Sequence, residues 1–321
     1  MKLVVLDAYA CTSDDLSFEK FQQLAECTVY PSTPKTKIVE RIKDAQLVIT
    51  NKCVIDKEII KQCPNLKYIG ITATGYNIID IQQTNQRGIV VTNVPAYSTK
   101  AVAQQVFAYL LYLCNQVEKH DRRVKRGDWQ NCAYFCFYEP GLTELSQKTI
   151  GLIGFGNIAQ QVAKIANTFD MKVICYTRTL HQEWENTFPY VSFLPFEEVL
   201  AKSDFISVHC PLTPQTKHLF SQKAFSQMKR TAVFINTARG PIVCEEDLAQ
   251  ALNQNIISYA CVDVVSEEPI KGENPLLSAK NILITPHTAW APKETRQRLL
   301  DIVYQNLEGF LTGSIQNQIQ S

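Results

Sequence analysis

The chain has 321 residues, of which 45% are hydrophobic and 20% charged, and 32 Lys and Arg against 31 Asp and Glu give a net charge of +1. This length allows two domains with sizeable cores, and the composition is that of a folded globular protein. The balanced charge gives no sign of a surface for nucleic acid or for a membrane.

The cysteines and the apolar runs favour a cytoplasmic location. The 11 cysteines are scattered without a C-x-x-C pair, and several lie inside apolar runs, as free thiols do in a reducing compartment. Cys132 and Cys136 have no further ligand at metal-binding spacing, so we expect no metal site. The N-terminal apolar run is short and broken by Asp7, unlike a signal peptide, and the apolar helix at 101–114 is too short to cross a bilayer.

Strand and helix patterns alternate along the first 98 residues. Apolar runs predict strands at 2–6, 46–50, 66–72 and 88–92. Helices are predicted at 16–25, after Thr33 and Pro34 as N-cap and first helical residue, and after Asp56 as a second N-cap. This alternation predicts a small domain with a parallel sheet covered on both faces.

A break at 95–98 precedes a long apolar helix that starts at 99 and passes 114, a candidate connector between domains. The aromatic stretch 127–144 looks irregular, and we expect its rings to pack on the body or on a partner subunit. Strands are then predicted at 149–155, 171–176, 204–209, 231–237, 259–264 and 281–285, with helices between them. An amphipathic helix is predicted from 292 through 310.

The stretch 149–178 contains a glycine pattern between a strand and a helix. Gly154, Gly156 and Ala159 occupy the small positions of G-x-G-x-x-(G/A). Gly154 permits the tight turn, Gly156 lets the backbone approach a pyrophosphate, and Ala159 lets the helix pack close to the strand. A glycine turn that binds nothing is the alternative, and the strand–turn–helix–strand context favours dinucleotide binding.

Polar residues follow the later strands, at the carboxyl edge where ligands gather in such sheets. They are His209, Arg239, the segment 263–268 and His287. Singly, each has an ordinary structural explanation, such as a turn residue for Glu268. Together, above a nucleotide-binding fold, they favour a catalytic site.

These motifs resemble the D-2-hydroxyacid dehydrogenases, which are NAD(P)-dependent oxidoreductases. The resemblance rests on GFGNIA at 154–159, HCPLTPQT at 209–216, NTARG at 236–240, DVVSEEP at 263–269 and PHTAW at 286–290. Within the family the chain looks most similar to the glycerate dehydrogenases (hydroxypyruvate reductases), through ATGYNIID at 73–80, VPAYST at 94–99 and the extended match at 286–299.

The resemblance implies an α/β fold class with two doubly wound parallel-sheet (Rossmann/flavodoxin-like) domains and the active site in the cleft between them. Residues 1–98 plus 291–321 would form the substrate domain, and 99–290 the NAD(P)-binding domain. A homodimer is implied, with the connector helix and 129–138 as its surfaces.

The implied reaction interconverts a D-2-hydroxy acid and its 2-oxo acid by hydride transfer. His287 is expected to be the general acid and base, Glu268 its carboxylate partner, and Arg239 the anchor for the substrate carboxylate. Further substrate contacts are expected from Lys52, Ala73, Thr74, Gly75 and Trp290. Coenzyme contacts are expected from Gly154, Phe155, Gly156, Asn157, Ile158, Thr177, Arg178, His209, Cys210, Pro211, Thr216, Thr237, Ala238, Asp263 and Val102.

Two choices stay open. The substrate pair is expected to be D-glycerate and hydroxypyruvate, with glyoxylate also reduced, and the alternatives are a D-lactate-type or broad 2-oxo-acid reductase and an NAD(H)-sensing, corepressor-like binding protein. The second predicted strand of the nucleotide unit ends at Thr177-Arg178, where NAD-binding folds usually have an acid for the ribose hydroxyls. Arg178 favours a 2′-phosphate, whereas the resemblance favours NADH, so NAD(H) and NADP(H) both remain candidates.

Overall fold

The computed structural model describes residues 1–320, and in them strands and helices alternate. The elements of the first part are β1 (Lys2–Val5), β2 (Glu26–Val29), α1 (Ile38–Ile42), β3 (Leu47–Thr50), α2 (Lys57–Gln62), β4 (Tyr68–Ile71), α3 (Ile81–Gln86) and β5 (Val90–Thr92). Those of the second part are α4 (Thr99–Asn115), α5 (Val117–Lys125), β6 (Thr149–Ile153), α6 (Asn157–Thr168), β7 (Lys172–Tyr176), α7 (Gln182–Thr187), β8 (Val191–Phe193), α8 (Phe196–Lys202), β9 (Phe205–Val208), α9 (Gln222–Phe225), β10 (Val233–Asn236), α10 (Glu245–Asn253), β11 (Tyr259–Val262), β12 (Ile282–Ile284) and α11 (Lys293–Thr312).

The first compact unit comprises Met1–Ser98 and the chain from Trp290 onward. Its five strands are parallel and lie in the order β2-β1-β3-β4-β5. Every residue of β3 and β4 is buried, because the sheet is covered on both faces and these inner strands have no solvent side. One face packs on α1 and α2, and the other on apolar residues of α11 such as Leu299, Val303 and Leu307.

The last helix and the tail after it are held to this unit by polar contacts. On α11, the side-chain amide of Asn306 donates to the backbone carbonyl of Asn93 at 2.9 Å. Beyond the helix, the N–H of Ile319 donates to the carbonyl of Val91 at 2.8 Å, and Gln318 forms an antiparallel bridge with Thr92. The tail therefore covers the open edge of β5, which would otherwise expose unpaired backbone groups.

The second unit, Thr99–Ala289, has a seven-stranded parallel sheet in the order β12-β11-β10-β9-β6-β7-β8. From β6 the chain runs outward through β7 and β8, then crosses to β9 on the other side of β6 and continues outward. The strand order thus reverses between β6 and β9. In open α/β sheets a ligand binds at the carboxyl ends of the strands at such a reversal.

The structure departs from the predicted elements mainly at the sheet edges. The edge strands β2 and β8 were not predicted, because both are short and only partly buried. The predicted helix at 16–25 is a 3-10 helix at Glu19–Gln23. Thr33 does not cap a helix, since its hydroxyl donates to the carbonyl of Leu6. Asp56 does, accepting from the N–H of Ile59 at 3.0 Å. Across residues 1–320, no helix has the length and apolar character needed to span a membrane.

Candidate active site

The glycine turn lies at the carboxyl end of β6, where the strand order reverses. Gly154 has a φ of +94°, and a Cβ there would lie 2.8 Å from the backbone nitrogen of Cys210, so only glycine fits. Gly156 precedes α6, and apart from adjacent backbone no atom of residues 1–320 lies within 4 Å of where its Cβ would stand. Ala159, in the first turn of α6, is completely buried. The turn therefore leaves the first N–H groups of α6 open to an anion, as a dinucleotide pyrophosphate requires.

Buried polar atoms without partners lie beside this turn. Nε2 of His209 and Oγ1 of Thr237 are buried and have no hydrogen-bond partner among residues 1–320. They follow the adjacent strands β9 and β10. Burial lowers the pKa of His209 to about 3, so its imidazole is neutral near neutral pH. Because unpartnered buried polar atoms are unfavourable, this pair fits a site completed by the polar groups of a bound coenzyme.

Several predicted coenzyme residues have side chains engaged elsewhere. The ring of Phe155 is buried against the rings of Trp184, Phe188 and Phe193, so only its backbone remains for a ligand. The hydroxyl of Thr216 donates to the carbonyl of Pro211 at 2.6 Å. Five other predicted coenzyme residues lie nearby in the chain. Asn157 and Ile158 begin α6 after the glycine turn, Cys210 and Ala238 follow β9 and β10, and Val102 lies on α4.

The end of β7 carries the residues that would meet the adenine ribose. The Thr177 hydroxyl donates to the carbonyl of Thr179 at 3.1 Å. Arg178 is exposed, and within residues 1–320 its guanidinium has no hydrogen bond or ion pair. No acidic side chain occupies the position at which NAD-binding folds usually hold the ribose hydroxyls.

His287 and Glu268 form a hydrogen-bonded pair. Nδ1 of His287 lies 2.7 Å from Oε2 of Glu268, and the side chains are 32% and 34% exposed. Oε1 of Glu268 accepts from the N–H of Val265 at 3.3 Å, which orients the carboxylate. With Nδ1 engaged, the imidazole has Nε2 left for exchanging a proton with a bound molecule.

The loop that carries His287 is shaped by Asp263, which is only 1% exposed. The N–H groups of Thr288 and Ala289 donate to its carboxylate at 2.8 and 2.9 Å, and the N–H of His287 donates to its carbonyl at 2.8 Å. His287 has a φ of +53°, a left-handed conformation that costs energy in most non-glycine residues. The predicted coenzyme contact of Asp263 stays a prediction; its carboxylate here holds the histidine loop.

Arg239 follows β10 on an exposed turn. The side chain of Asn236 braces the turn, donating to the Arg239 carbonyl at 3.0 Å and accepting from the N–H of Ala238 at 3.0 Å. A Cβ on Gly240 would lie 2.0 Å from the carbonyl carbon of Val265, so this glycine lets the arginine turn pack against the segment leading to Glu268. Nη1 of Arg239 donates one hydrogen bond to the carbonyl of Ala238. Its other donors are open to a carboxylate.

In the first unit, the loop that carries Lys52 is built on Asp7. Backbone N–H groups of Asn51, Lys52 and Cys53 donate to the Asp7 carboxylate at 2.8, 2.6 and 3.1 Å. The amide of Asn51 in turn donates to the carbonyl of Thr72 at 2.6 Å. Asp7 thus fixes the Lys52 loop and, through Asn51, the start of the 73–75 loop.

The predicted anion-binding loop presents backbone rather than side-chain donors. The Thr74 hydroxyl donates to the carbonyl of Val94 at 2.8 Å, and Ala73 accepts from the Val94 N–H at 3.0 Å. Within residues 1–320, no acceptor takes the N–H groups of Thr74 or Gly75. Trp290 is partly buried against the core under α11. We find no set of three or more His, Cys, Asp or Glu side chains placed to hold a metal ion in the described part of the chain.

Four positions that shape the loops of the candidate site were missed by sequence reasoning. Asp7 and Asn236 shape the loops described above, and Tyr109 on α4 bonds to the hydroxyl of Thr285 ahead of the histidine loop. For Asn236, the polar residue at the end of a buried strand was a usable signal. For Tyr109 and Thr285 there was none, because their contact joins positions 176 residues apart.

Comparison with known proteins places these features in context. Residues 107–289 match the family described as D-isomer specific 2-hydroxyacid dehydrogenase, NAD binding domain. The chain is 42% identical over 322 residues to a hydroxypyruvate reductase of Blautia hydrogenotrophica, covering 99% of each chain. It is 35% identical over 323 residues to a glycerate dehydrogenase of Methylorubrum extorquens, covering 100% of this chain and 99% of that one. An acyclic imino acid reductase (Bsp5), solved in complex with NADPH and D-Arg, superposes with a TM-score of 0.84 at 31% identity over the whole of both chains.

Proposed function

The chain belongs to the D-isomer specific 2-hydroxyacid dehydrogenase family, and from this we propose that it interconverts hydroxypyruvate and D-glycerate and also reduces glyoxylate. The observation that carries the proposal is the bond between Nδ1 of His287 and Oε2 of Glu268 at the carboxyl edge of a dinucleotide-binding sheet. The names of the two similar proteins, a hydroxypyruvate reductase and a glycerate dehydrogenase, support this substrate pair.

Reduction of a 2-oxo acid needs a hydride at C2 and a proton at the carbonyl oxygen. The reduced nicotinamide coenzyme supplies the hydride when it is bound. His287 supplies the proton from Nε2, because Glu268 engages Nδ1 and leaves Nε2 as the ring nitrogen that can face the substrate. After the transfer, the neutral ring keeps its Nδ1 proton directed at Glu268. In the reverse direction the same Nε2 removes the hydroxyl proton as the hydride leaves.

The substrate carboxylate is assigned to Arg239. Its guanidinium offers paired N–H donors in a plane that matches a carboxylate, and the turn that carries it is braced by Asn236 and Gly240. We assign further carboxylate contacts to the N–H groups of Thr74 and Gly75, as the resemblance implies. Lys52, on the loop that Asp7 fixes, is a further candidate.

Initial rates with hydroxypyruvate, glyoxylate, pyruvate and phenylpyruvate, followed by loss of nicotinamide absorbance, test the substrate. We expect the highest kcat/KM with hydroxypyruvate and measurable turnover of glyoxylate. A highest kcat/KM with pyruvate would replace the proposal by a D-lactate-type reductase. Absence of turnover with all four acids, in protein that binds coenzyme, would overturn it in favour of a binding role.

We further propose that the coenzyme site accepts NADPH as well as NADH. Arg178 is exposed beside Thr177, where it can meet a 2′-phosphate, and the similar imino acid reductase was solved with NADPH. The ratio of kcat/KM for the two coenzymes measures this directly. Thr177→Asp adds a carboxylate that repels the 2′-phosphate and binds ribose hydroxyls, so it should shift the ratio toward NADH by about tenfold or more. A wild type that uses NADH alone would show that Arg178 does not bind a phosphate.

A homodimer is proposed through the stretch that follows α5. Tyr134, Phe135 and Tyr138 are 80%, 88% and 74% exposed, a concentration of bare aromatic surface that water disfavours. Sedimentation velocity should give twice the mass of the chain. Changing Tyr134 and Phe135 together to serine should give the monomer, and a monomeric wild type would refute the proposal.

A cytoplasmic location is proposed as well. All 11 cysteines are free, and Cys11, Cys63 and Cys261 are buried among apolar side chains, which suits a reducing compartment. Fractionation of cells that produce the protein should recover it with cytoplasmic markers. Recovery with membranes or in the medium would contradict this assignment.

A further inference from the structure

A chain of side-chain hydrogen bonds runs from the middle of α4 to the histidine loop. The hydroxyl of Tyr109 bonds to Oγ1 of Thr285. The Thr285 hydroxyl in turn donates to Oδ1 of Asp263 at 2.5 Å. Thr285 immediately follows β12 and lies two residues before His287. Tyr109 is 4% exposed and Asp263 is 1% exposed, so the groups at both ends of this series of bonds are buried, and Thr285 between them is partly buried.

The direction of the bonds follows from the groups themselves. An ionised carboxylate only accepts, so Thr285 must give its single proton to Asp263. The Thr285 oxygen can then only accept from Tyr109. The tyrosine hydroxyl is therefore the first donor in this series of hydrogen bonds. Burial raises the pKa of Tyr109 to about 12, so the phenol keeps the proton that it donates.

The same carboxylate fixes the two residues that follow His287. Oδ1 of Asp263 accepts from the N–H of Thr288 as well as from Thr285, and Oδ2 accepts from the N–H of Ala289. His287 therefore lies between two segments tied to one buried group. Its left-handed φ of +53° is unfavourable for histidine and persists only when its surroundings impose it.

We infer that Tyr109 and Thr285 are positioning residues that hold His287 in the geometry for proton transfer, a role that rests on the proposed function. Neither residue is assigned a contact with the substrate. Their effect is to orient Asp263, which shapes the loop, so that Nε2 of His287 is presented while Nδ1 faces Glu268. Losing this alignment should slow the proton step and leave coenzyme binding unchanged.

Three variants test the inference. Thr285→Val removes the hydroxyl at nearly constant volume, whereas Thr285→Ser keeps a hydroxyl at this position. Tyr109→Phe removes only the hydroxyl that donates to Thr285. A displacement of about 1 Å at a reacting group costs on the order of a hundredfold in rate, so kcat of Thr285→Val should fall by about that factor. Tyr109→Phe should lower kcat by roughly threefold to tenfold, since the Thr285 to Asp263 bond survives. Thr285→Ser should recover most of the wild-type kcat.

The matched control is Tyr112→Phe, which removes a hydroxyl from the same helix at an exposed position where it bonds to Glu118. It should keep the wild-type kcat. Rates are normalised to sites that bind NADH, counted by fluorescence titration, and the kinetic solvent isotope effect on kcat is measured. A positioning role raises that isotope effect in Thr285→Val, because proton transfer becomes more rate-limiting, whereas simple loss of folded protein leaves it unchanged.

The outcomes are separable from those of the proposed function. A wild type without 2-oxo-acid turnover would overturn the proposed function, and the inference with it. An active wild type with an unchanged kcat per coenzyme-binding site in Thr285→Val would overturn the inference alone. So would a lowered kcat with an unchanged isotope effect, or a failure of Thr285→Ser to restore activity.

Discussion

The neutral, buried imidazole of His209 predicts a specific dependence of stability on pH. Its pKa falls from 6.5 to about 3 on folding because the ring is buried at the end of β9. The unfolded chain therefore binds one more proton than the folded chain between these values. Stability from this group is fully present above about pH 6.5 and is lost as the pH falls toward 3.

The size of the effect follows from linkage. For a histidine with these two pKa values, lowering the pH from 7 to 5 removes about 2 kcal/mol from the free energy of unfolding. In His209→Asn this contribution is absent, because asparagine does not titrate. The wild type should thus lose about 2 kcal/mol relative to the variant between pH 7 and pH 5, whatever constant offset the substitution introduces.

The assay is thermal unfolding of both proteins at the two pH values, followed through tryptophan fluorescence, to which Trp184 contributes from a position packed against the core of the same unit. For a unit of this size 2 kcal/mol corresponds to about 4–8 °C in Tm. His218→Asn is the matched control, because His218 is an exposed histidine in the same unit. An equal pH dependence in the wild type and in His209→Asn would refute the reasoning, as would a His209 ring proton resonance that titrates between pH 6 and pH 7.

Three further predictions concern catalysis and are checked by steady-state kinetics with hydroxypyruvate. His287→Ala removes the proton donor and should lower kcat by about 10²- to 10⁴-fold with the Kd for NADH unchanged, and near-normal turnover would reject the assignment. Arg239→Lys keeps the charge but loses the planar pair of donors, so KM should rise and kcat should fall, and kcat/KM should drop by about tenfold or more. A change in Tm with unchanged kinetics would show that the arginine has a structural role. Asp7→Asn places an amide N–H group against the N–H donors of the Lys52 loop and so disturbs that loop. The KM for substrate should therefore rise with the NADH Kd unchanged, and an unaltered KM would show that the loop does not contribute to substrate binding.

How far the sequence predicts the structure depends on whether a feature is local. The turn at Gly154 requires a positive φ that glycine tolerates best, so the sequence marks it, and Asp56 marks a helix start in the same way. The edge strands β2 and β8 give no such signal, since they are only four and three residues long and only partly buried. The Glu268 partner of His287 was predicted through the family resemblance. The contact of Tyr109 with Thr285 depends on how α4 packs in its unit, which no local pattern encodes.

The two buried aspartates show why strand-end residues are difficult to interpret from sequence. Asp7 follows β1 and accepts N–H groups from the loop after the neighbouring strand β3, and Asp263 follows β11 and does the same for the loop after its neighbour β12. Where parallel strands end, the ladder stops and the next loop is left with unpaired N–H groups. A carboxylate one strand away satisfies several of them at once and so fixes the loop. A strand-end aspartate can therefore serve a site without touching a ligand, and the groups to test for chemistry are those on the loops it shapes, here Lys52 and His287.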